Sequence, residues 1–412
     1  MTPAPPAGGS SPVSAIARLT DQSTSVFDRL RTAPAINACG IYTELGGSCL
    51  SSTVWEAAAE VNSRFGSMTE LLERSGEIIS ELLGVEAARV VPGAAAGIAL
   101  GVGACIAQGD GSRMERLPDT GGMPDGVVMQ RAHRYKYDRC ARLPGGRIVE
   151  VDEREVDRAR AFQEALKDNV ACVLHPAHLD GVEDSLPLSE VSALAHAAGI
   201  PVVVDAAYMC YPIELIGSYQ DAGADLVCLS AKYFWGPNVG GFVYGRRDLV
   251  DAVALIDFTG FEAGPYLIFG RPFKLDRTSV AATVLALAEW LEADHDERWA
   301  GYAETVELLA GLLADTPGVT TEAACFTLDE RLVEKPVNAL VVRGQDGSEF
   351  DADHLAEMLA AGWPSIRCVP MEGALVFCVE TVFEGEPEQI ATRLRELLAV
   401  PSSGRSRTST SE

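Results

Sequence analysis

Short apolar runs without polar alternation recur through the first two thirds of the chain. Each run is bounded by glycine, proline or charge, and helical patterns such as LSEVSALAHAAG (188–199) separate many of them. The runs are RVV (89–91), GVVMQ (126–130), RIVEV (147–151), ACVLH (171–175), PVVVD (201–205), LVCLS (226–230) and GFVYG (241–245). Apolar strands interleaved with helices predict a mostly parallel sheet that is covered on both faces. We therefore expect an α/β three-layer sandwich with a seven-stranded sheet, whose ligands gather beyond the strand carboxyl ends.

After about residue 280 the pattern changes to that of a smaller α+β domain. A long helical stretch (278–315) is followed by the strand-like pieces NALVV (338–342), SIRCV (365–369) and ALVFCV (374–379), and by a final helix (386–399). We expect a large domain over 15–280 that includes an N-terminal arm, and a small C-terminal domain over 281–400. Low apolar content predicts disordered tails over 1–14 and 401–412.

Composition limits the possible partners. Among 412 residues, Lys+Arg total 33 against Asp+Glu 59, a formal net charge of −26, which argues against a nucleic-acid partner. The sequence contains no run of about 18 apolar residues, so it predicts no membrane helix. The start MTPAPPAGGSSP lacks the charged n-region of a signal peptide, and we expect a soluble cytoplasmic protein. The 10 cysteines are scattered without a C-x-x-C pair, which predicts neither a metal site nor a disulfide framework.

One lysine stands out among the candidate catalytic residues. Lys232 follows the apolar run LVCLS and precedes a Gly-Pro break, at a strand end where α/β sites are built. A desolvated lysine loses its proton and becomes a nucleophile toward a carbonyl. The alternative, which is commoner for a lone lysine, is that the ammonium group of Lys232 extends into solvent.

A strand-end aspartate precedes this lysine by about 27 residues. Asp205 ends PVVVD, where a carboxylate is costly unless it meets a cationic partner. The alternative is an N-cap for the next helix. The Asp–Lys order is the one expected for pyridoxal phosphate (PLP), in which the lysine forms the Schiff base and the carboxylate keeps the pyridine nitrogen protonated.

The segment VVPGAAAGIALGVGACIA (90–107) predicts a strand, a tight turn and a helix. Small residues allow the backbone to approach a phosphate, and a helix N-terminus supplies N–H donors. The alternative is close packing alone.

The motifs INACGIYTELGGSCLSSTVWEAA, PGAAAGIAL, RLPDTGGMPDGVVMQRAHRYKYD, VVVDAAY and SAKYFWGPNVGGFVYG together resemble the selenocysteine synthase-like branch of the fold-type-I PLP enzymes, over residues 34–290. That branch includes D-glucosaminate-6-phosphate ammonia-lyase. The resemblance implies Lys232 as the Schiff-base lysine, Asp205 as the partner of the pyridine nitrogen, and a phosphate cradle formed by Gly93, Ala94 and Ala95. It also implies a homodimer or an assembly of dimers.

Two further residues receive cofactor roles from the same resemblance. His133 falls where such enzymes place a residue stacked on the cofactor ring; the alternative is a surface histidine in a basic run. Ser230 is expected to hydrogen-bond the cofactor phosphate. The loop that carries Lys232, here called the lysine loop, is more aromatic than is usual in the branch because it contains Tyr233, Phe234 and Trp235. This favours a small, fairly apolar amino acid as substrate.

The expected chemistry begins with an external aldimine and a Cα carbanion, with Lys232 as general base. The resemblance favours elimination or replacement at Cβ or Cγ, the work of a lyase or transferase in amino-acid metabolism. An aminotransferase is the alternative, and racemisation uses the same motifs. A tRNA-dependent selenium transferase or a non-catalytic PLP-binding protein is less favoured, the former because of the net charge.

Arginine forks commonly bind substrate carboxylates. Arg367 is the first candidate and Arg271 the second, and for each the alternative is a surface or interdomain ion pair. The glycine-rich segment CGIYTELGGS (39–48), which carries Tyr42, is expected to close over the substrate of its own or a neighbouring subunit. Its alternative is an ordinary packed loop.

Overall fold

The computed structural model describes residues 12–151 and 157–399. Most of the predicted N-terminal tail (1–11) and the predicted C-terminal tail (401–412) lie outside the described residues. Residues 12–14 were expected to be disordered, but they form the first turn of helix α1 (Pro12–Thr20).

The chain forms two compact units, Ile41–Asp294 and the residues that flank it on both sides, up to Gly40 and from His295 onward. We call them the central and the flanking unit. This division differs from the predicted boundary at 280. Val280, Leu287 and Trp290 belong to the apolar core of the central unit, so the helix that carries them stays with that unit.

The elements before and within the central unit are helices interspersed with strands. The flanking unit contributes α2 (Val26–Leu30) and β1 (Ala35–Asn37) after α1. The central unit then contains α3 (Ser52–Asn62), α4 (Met68–Leu83), β2 (Ala87–Val91), α5 (Ala94–Ala107), α6 (Gly111–Arg116), β3 (Gly126–Gln130), β4 (Arg147–Val151), α7 (Arg158–Ala165), β5 (Val170–Pro176), α8 (Leu188–Ala197), β6 (Val202–Asp205), α9 (Glu214–Asp221), β7 (Leu226–Ser230), β8 (Gly241–Gly245), α10 (Arg247–Ile256), α11 (Phe258–Ala263) and α12 (Arg277–Glu292).

The central sheet has seven strands in the order β2-β8-β7-β6-β5-β3-β4. Strand β8 is antiparallel to both of its neighbours, and the other pairs are parallel. Neighbouring side chains on β6 enter different cores, with Val203 on the face of α5 and Val204 on the opposite face. Because both faces are covered, the inner strands β6 and β7 are almost entirely apolar. The predicted three-layer sandwich with a mostly parallel seven-stranded sheet is confirmed.

Helix α5 lies against this sheet with little space between the backbones. A Cβ at Gly97 would stand 2.9 Å from Cγ1 of Val243 and 3.2 Å from Sγ of Cys228. Close packing therefore accounts for glycine inside this helix, whereas the turn before it has a separate reason for its glycine, described below.

The rest of the flanking unit follows α12. Its elements are α13 (His295–Leu313), β9 (Val319–Phe326), β10 (Leu332–Val333), β11 (Ala339–Gly344), α14 (Ala352–Ala360), β12 (Ser365–Arg367), β13 (Val369–Met371), β14 (Ala374–Cys378) and α15 (Glu386–Ala399). Strand β1 pairs in parallel with β12, which explains why the segment before residue 41 joins this unit and not the large domain predicted for it. A five-stranded sheet has the order β10-β9-β11-β14-β13. Across the described ranges, no helix is both long and apolar enough to cross a bilayer.

Candidate active site

The polar residues predicted to carry chemistry meet at one edge of the central sheet. Strands β3, β5, β6 and β7 are parallel, so their carboxyl ends lie on the same side. Strand β6 ends at Asp205, β7 ends at Ser230, and the short 3-10 helix Ala231–Phe234 that follows β7 carries Lys232. The edge where α/β proteins bind ligands therefore holds both principal candidates.

Asp205 is a buried carboxylate, with 3% of its surface exposed. Its Oδ1 accepts a hydrogen bond from the backbone N–H of Ala207 at 3.1 Å, and its Oδ2 accepts one from the hydroxyl of Tyr135. Burial raises the pKa of Asp205, and these two hydrogen bonds oppose the rise. The next helix begins only at Glu214, so the alternative role as an N-cap is wrong.

Lys232 is also buried, with 7% of its surface exposed. Its Nζ donates a hydrogen bond to Oγ1 of Thr43 at 2.6 Å and lies 4.7 Å from the ring centroid of Tyr233. Burial lowers the pKa of Lys232, and the charge of Lys136 lowers it further. The residue is therefore not a surface lysine, and its surroundings favour the neutral amine.

A backbone cradle lies beside Ser230. Gly93 is the N-cap of α5 and has φ 82°, a conformation that favours glycine. A Cβ at Gly93 would stand 3.6 Å from the carbonyl oxygen of Gly240 and 3.9 Å from Oγ of Ser230. Ala94 is buried and Ala95 is exposed at the first turn of the helix. The helix N-terminus and the serine hydroxyl thus face one small region.

His133 is 1% exposed, so the alternative of a surface histidine is wrong. Oε1 of Gln130 accepts from the N–H of Leu186 at 2.7 Å, which leaves Nε2 of Gln130 to donate toward Nδ1 of His133 at 3.3 Å. Nδ1 is then an acceptor, and the ring proton is on Nε2. Burial, followed by the nearby His175, lowers the pKa of His133 to about 3, so the ring is neutral.

The chain matches known proteins over most of its length. It is 30% identical to a 5'-C-glycyluridine monooxygenase-decarboxylase of Streptomyces sp, over 92% of this chain and 94% of that protein. It is 28% identical to D-glucosaminate-6-phosphate ammonia lyase of Salmonella typhimurium, over 90% and 98% of the two chains. A solved structure of D-glucosaminate-6-phosphate ammonia-lyase aligns with a TM-score of 0.79 at 27% identity, covering 92% of this chain and 99% of that one. Residues 139–321 match the aminotransferase class-V family.

The chain belongs to the fold-type-I PLP enzymes. Selenium transferases acting on L-seryl-tRNA(Sec) also match, so the predicted branch is confirmed as well. Membership makes the chain an enzyme of this class and PLP its cofactor.

The residues at the sheet edge fit PLP in three respects. None of the ion pairs within residues 12–151 and 157–399 involves Asp205, and a protonated ring nitrogen would give this buried carboxylate a cation. The cradle at Gly93 and Ser230 offers backbone and hydroxyl donors to a phosphate. Lys232 supplies an amine whose pKa burial lowers.

Four aromatic side chains form a continuous wall between Asp205 and Lys232. Ring centroids are 5.3 Å apart for Tyr135 and His178, 5.4 Å for His178 and Tyr208, and 5.7 Å for Tyr208 and Tyr233. Tyr135 contacts Asp205 through its hydroxyl, and Tyr233 lies under Lys232. The sequence assigned no specific role to Tyr135, His178, Tyr208 or Thr43. The only available signal was their position just after a strand end or within the glycine-rich segment.

The three residues predicted to bind the substrate lie in different parts of the chain. Nε of Arg271 forms an ion pair with Oε1 of Glu262 at 2.5 Å, and the Arg271 side chain is 40% exposed. This agrees with the alternative prediction for Arg271, a surface ion pair. Arg367 ends β12 in the flanking unit, and its role stays a prediction. Tyr42 is the N-cap of the 3-10 helix Thr43–Leu45, next to the partner of Lys232.

Proposed function

We propose that this chain is a PLP-dependent lyase that eliminates or replaces a substituent at Cβ or Cγ of a small amino acid. The observation that carries the proposal is the match to the solved ammonia-lyase structure, at a TM-score of 0.79 over 99% of that chain. The ammonia lyase of Salmonella typhimurium supports it at 28% identity.

The roles proposed for the residues follow from their positions. When bound, PLP supplies an electron-withdrawing ring that stabilises negative charge developing at Cα of the substrate. Asp205, fixed by Ala207 and Tyr135, holds a proton on the ring nitrogen. Lys232, once released from the cofactor, takes the proton from Cα. Gly93 and Ser230, with the first turn of α5, would bind the phosphate, and neutral His133 would take the place beside the ring that the family resemblance gives it.

A small, fairly apolar substrate is favoured by the aromatic wall of Tyr135, His178, Tyr208 and Tyr233. Lys136 is a positive charge near Lys232, where it could also attract a substrate carboxylate. We still propose that the guanidinium of Arg367 binds the substrate carboxylate. Arg271 is less suitable, because its guanidinium already pairs with Glu262.

A second candidate is an oxygen-dependent decarboxylation. It is favoured by the relative named as a monooxygenase-decarboxylase, to which the chain is 30% identical. An aminotransferase is the third candidate. All three reactions use the same lysine, carboxylate and cradle, so the products must distinguish them.

The deciding experiment incubates the purified PLP-loaded protein with a panel of amino acids. Ammonia, 2-oxo acid, carbon dioxide and oxygen are assayed while the cofactor absorbance is followed. Repeated release of a leaving group, with the starting cofactor spectrum restored, supports the lyase. Oxygen uptake with carbon dioxide release identifies the second candidate. Stoichiometric pyridoxamine phosphate, converted back by a 2-oxo acid, identifies an aminotransferase.

The lysine assignment has its own test. Borohydride should fix the cofactor to Lys232, and Lys232→Ala should abolish this adduct. Lys167→Ala is the matched control, because Lys167 is 60% exposed and pairs with Glu164 at the surface. An adduct that maps to Lys136 or Lys274 would overturn the assignment.

We further propose a homodimer or an assembly of dimers, located in the cytoplasm and without a nucleic-acid partner. The family supports the dimer, and an active monomer in light scattering would exclude it. The ten free thiols suit a reducing compartment. The net charge of −26 opposes nucleic acid, and tRNA binding at physiological salt would contradict this.

A further inference from the structure

The amine of Lys232 is held by a neutral hydroxyl from a distant part of the chain. Nζ donates to Oγ1 of Thr43 at 2.6 Å, across 189 positions of sequence. In the part of the chain that the structure describes, no ion pair joins Lys232 to a carboxylate. Buried lysines usually have a charged partner. This one is therefore positioned without a countercharge that would keep it protonated.

The segment that carries Thr43 has a defined conformation. Residues 43–45 form one 3-10 turn, and the N–H of Gly46 donates to the carbonyl of Thr43 at 3.1 Å. Gly46 has φ 98° and Gly47 has φ 83°. Two successive positive φ values turn the chain sharply, and other residues adopt them only with strain. We call residues 41–48 the threonine segment.

The threonine segment is attached to the loop that carries Lys232 at two further points. The hydroxyl of Ser48 donates to the carbonyl of Gly236 at 2.7 Å. Gly47 packs so closely on Asn238 that a Cβ there would stand 2.7 Å from Oδ1 of its side chain. With the Thr43–Lys232 hydrogen bond, these contacts fix the threonine segment and the lysine loop in one arrangement.

We propose that Thr43 is a positioning residue that aims Nζ of Lys232 whenever the lysine is not bonded to the cofactor. The inference rests on the proposed function of Lys232 as nucleophile and base. A hydroxyl has lone pairs and a proton, so it can hold both the ammonium and the amine. A carboxylate in its place would favour the ammonium strongly and suppress both reactions. Thr43 orients the nitrogen while leaving it reactive.

Within the described residues, the charge that shifts the pKa of Lys232 is a positive one. Lys136, after the end of β3, lowers the pKa of Lys232 by repulsion. Tyr233, on the lysine loop, is uncharged because burial raises the pKa of its phenol. Asp205, at the end of β6, is hydrogen-bonded to Tyr135 and Ala207. The hydroxyl of Thr43 is thus the group whose removal should change the amine most directly.

The test measures how fast the apoenzyme attaches added PLP as a function of pH, which requires no knowledge of the substrate. In this step Nζ of neutral Lys232 adds to the aldehyde carbon, and its two hydrogens leave with the aldehyde oxygen as water. The rate rises with pH to a plateau, and its midpoint reports the pKa of free Lys232. Borohydride trapping on Lys232 confirms the site of attachment.

Thr43→Val removes an acceptor that favours the ammonium and adds apolar surroundings. Both effects lower the pKa of Lys232, so the midpoint should move down by about one pH unit. The plateau rate should fall about tenfold, because the amine is no longer aimed. Thr43→Ser should restore both values, since serine keeps the hydroxyl.

Ser48→Ala is the matched control. It removes the hydrogen bond from Ser48 to the carbonyl of Gly236 but keeps the hydroxyl of Thr43 beside Nζ, so the midpoint should move much less than in Thr43→Val. The proposal is overturned if Thr43→Val retains the wild-type midpoint and plateau, if Thr43→Ser fails to restore them, or if Ser48→Ala shifts the midpoint equally. Failure of the amino-acid panel would refute the proposed lyase and leave this measurement intact.

Discussion

Gly241 lies where β8 passes the turn at Gly93, and Gly241→Ala tests the phosphate cradle directly. A Cβ at 241 would stand 2.4 Å from the carbonyl oxygen of Leu229 and 2.7 Å from Cα of Gly93. Nonbonded carbons normally approach to about 3.5–4.0 Å. Since Gly241 is paired with Ser230 in the sheet, the strain must move either that pairing or the Gly93 turn by about 1 Å.

Two magnitudes follow from this overlap. Overpacking of a rigid site should lower the free energy of unfolding by about 1–3 kcal/mol. A displaced helix start should also lose part of its hydrogen bonding to the dianionic phosphate. One charge-assisted hydrogen bond is worth about 1.5–3 kcal/mol, so the dissociation constant for PLP should rise about 10- to 100-fold.

The assay compares PLP with pyridoxal, which lacks the phosphate. Gly241→Ala should weaken binding of PLP far more than binding of pyridoxal, and denaturant unfolding of the apoenzyme should give the stability loss. Gly217→Ala is the matched control, because Gly217 lies within α9 and no atom stands within 4 Å of its added Cβ. It should stabilise the protein by about 0.5–1 kcal/mol and leave both affinities unchanged.

The ratio of the two affinities decides the outcome. If folded Gly241→Ala binds PLP and pyridoxal with the wild-type ratio, the phosphate does not sit at the Gly93 turn, and the cradle assignment is wrong. An unchanged ratio with weaker binding of both ligands would indicate general distortion of the site.

Three further predictions concern charges. Lys136→Gln removes the positive charge that lowers the pKa of Lys232, so the midpoint for PLP attachment should move to higher pH; an unchanged midpoint would show that the two amines do not interact. Asp205→Asn should reduce turnover much more than PLP affinity, measured by kcat and by titration, and equal losses would contradict its role in stabilising the transition state. Asp257→Ala leaves Arg89 buried without the carboxylate that it contacts at 2.7 Å, so unfolding should cost about 3–5 kcal/mol less, and a loss below about 1 kcal/mol in denaturant titration would contradict this.

Most of the central sheet could be predicted from the sequence because its inner strands are buried on both faces. The predicted GVVMQ, LVCLS and GFVYG are fully buried and coincide with β3, β7 and β8, and RIVEV coincides with the more exposed β4. Strand β9 could not be predicted in this way, since several of its residues are exposed and its sequence VTTEAACF has no such run. One helical stretch over 278–315 proved to be α12 and α13, with the division between the units at their junction.

The principal site residues were predictable for a similar reason. Lys232, Asp205 and Gly93 each follow a recognisable strand, so their order along the chain already places them at one edge. Thr43 and Tyr135 act through contacts across 189 and 70 positions, which no local pattern reveals. Their roles depend on how the threonine segment and the turn after β3 fold back onto the sheet.

The site disfavours charge on the three groups proposed to meet the cofactor. Burial lowers the pKa of Lys232, raises that of Asp205 and lowers that of His133 to about 3. A protonated ring nitrogen beside Asp205 would reverse the shift there, because an opposite charge favours the ionised carboxylate. The hydrogen bonds from Tyr135 and Ala207 offset part of the cost of burying Asp205, and a bound cofactor would offset more of it. By linkage, a protein that binds PLP through this carboxylate is stabilised by PLP. The same burial shifts Lys232 toward the neutral amine and keeps the ring of His133 uncharged, so the apolar surroundings of this sheet edge suit the proposed chemistry as well as the fold.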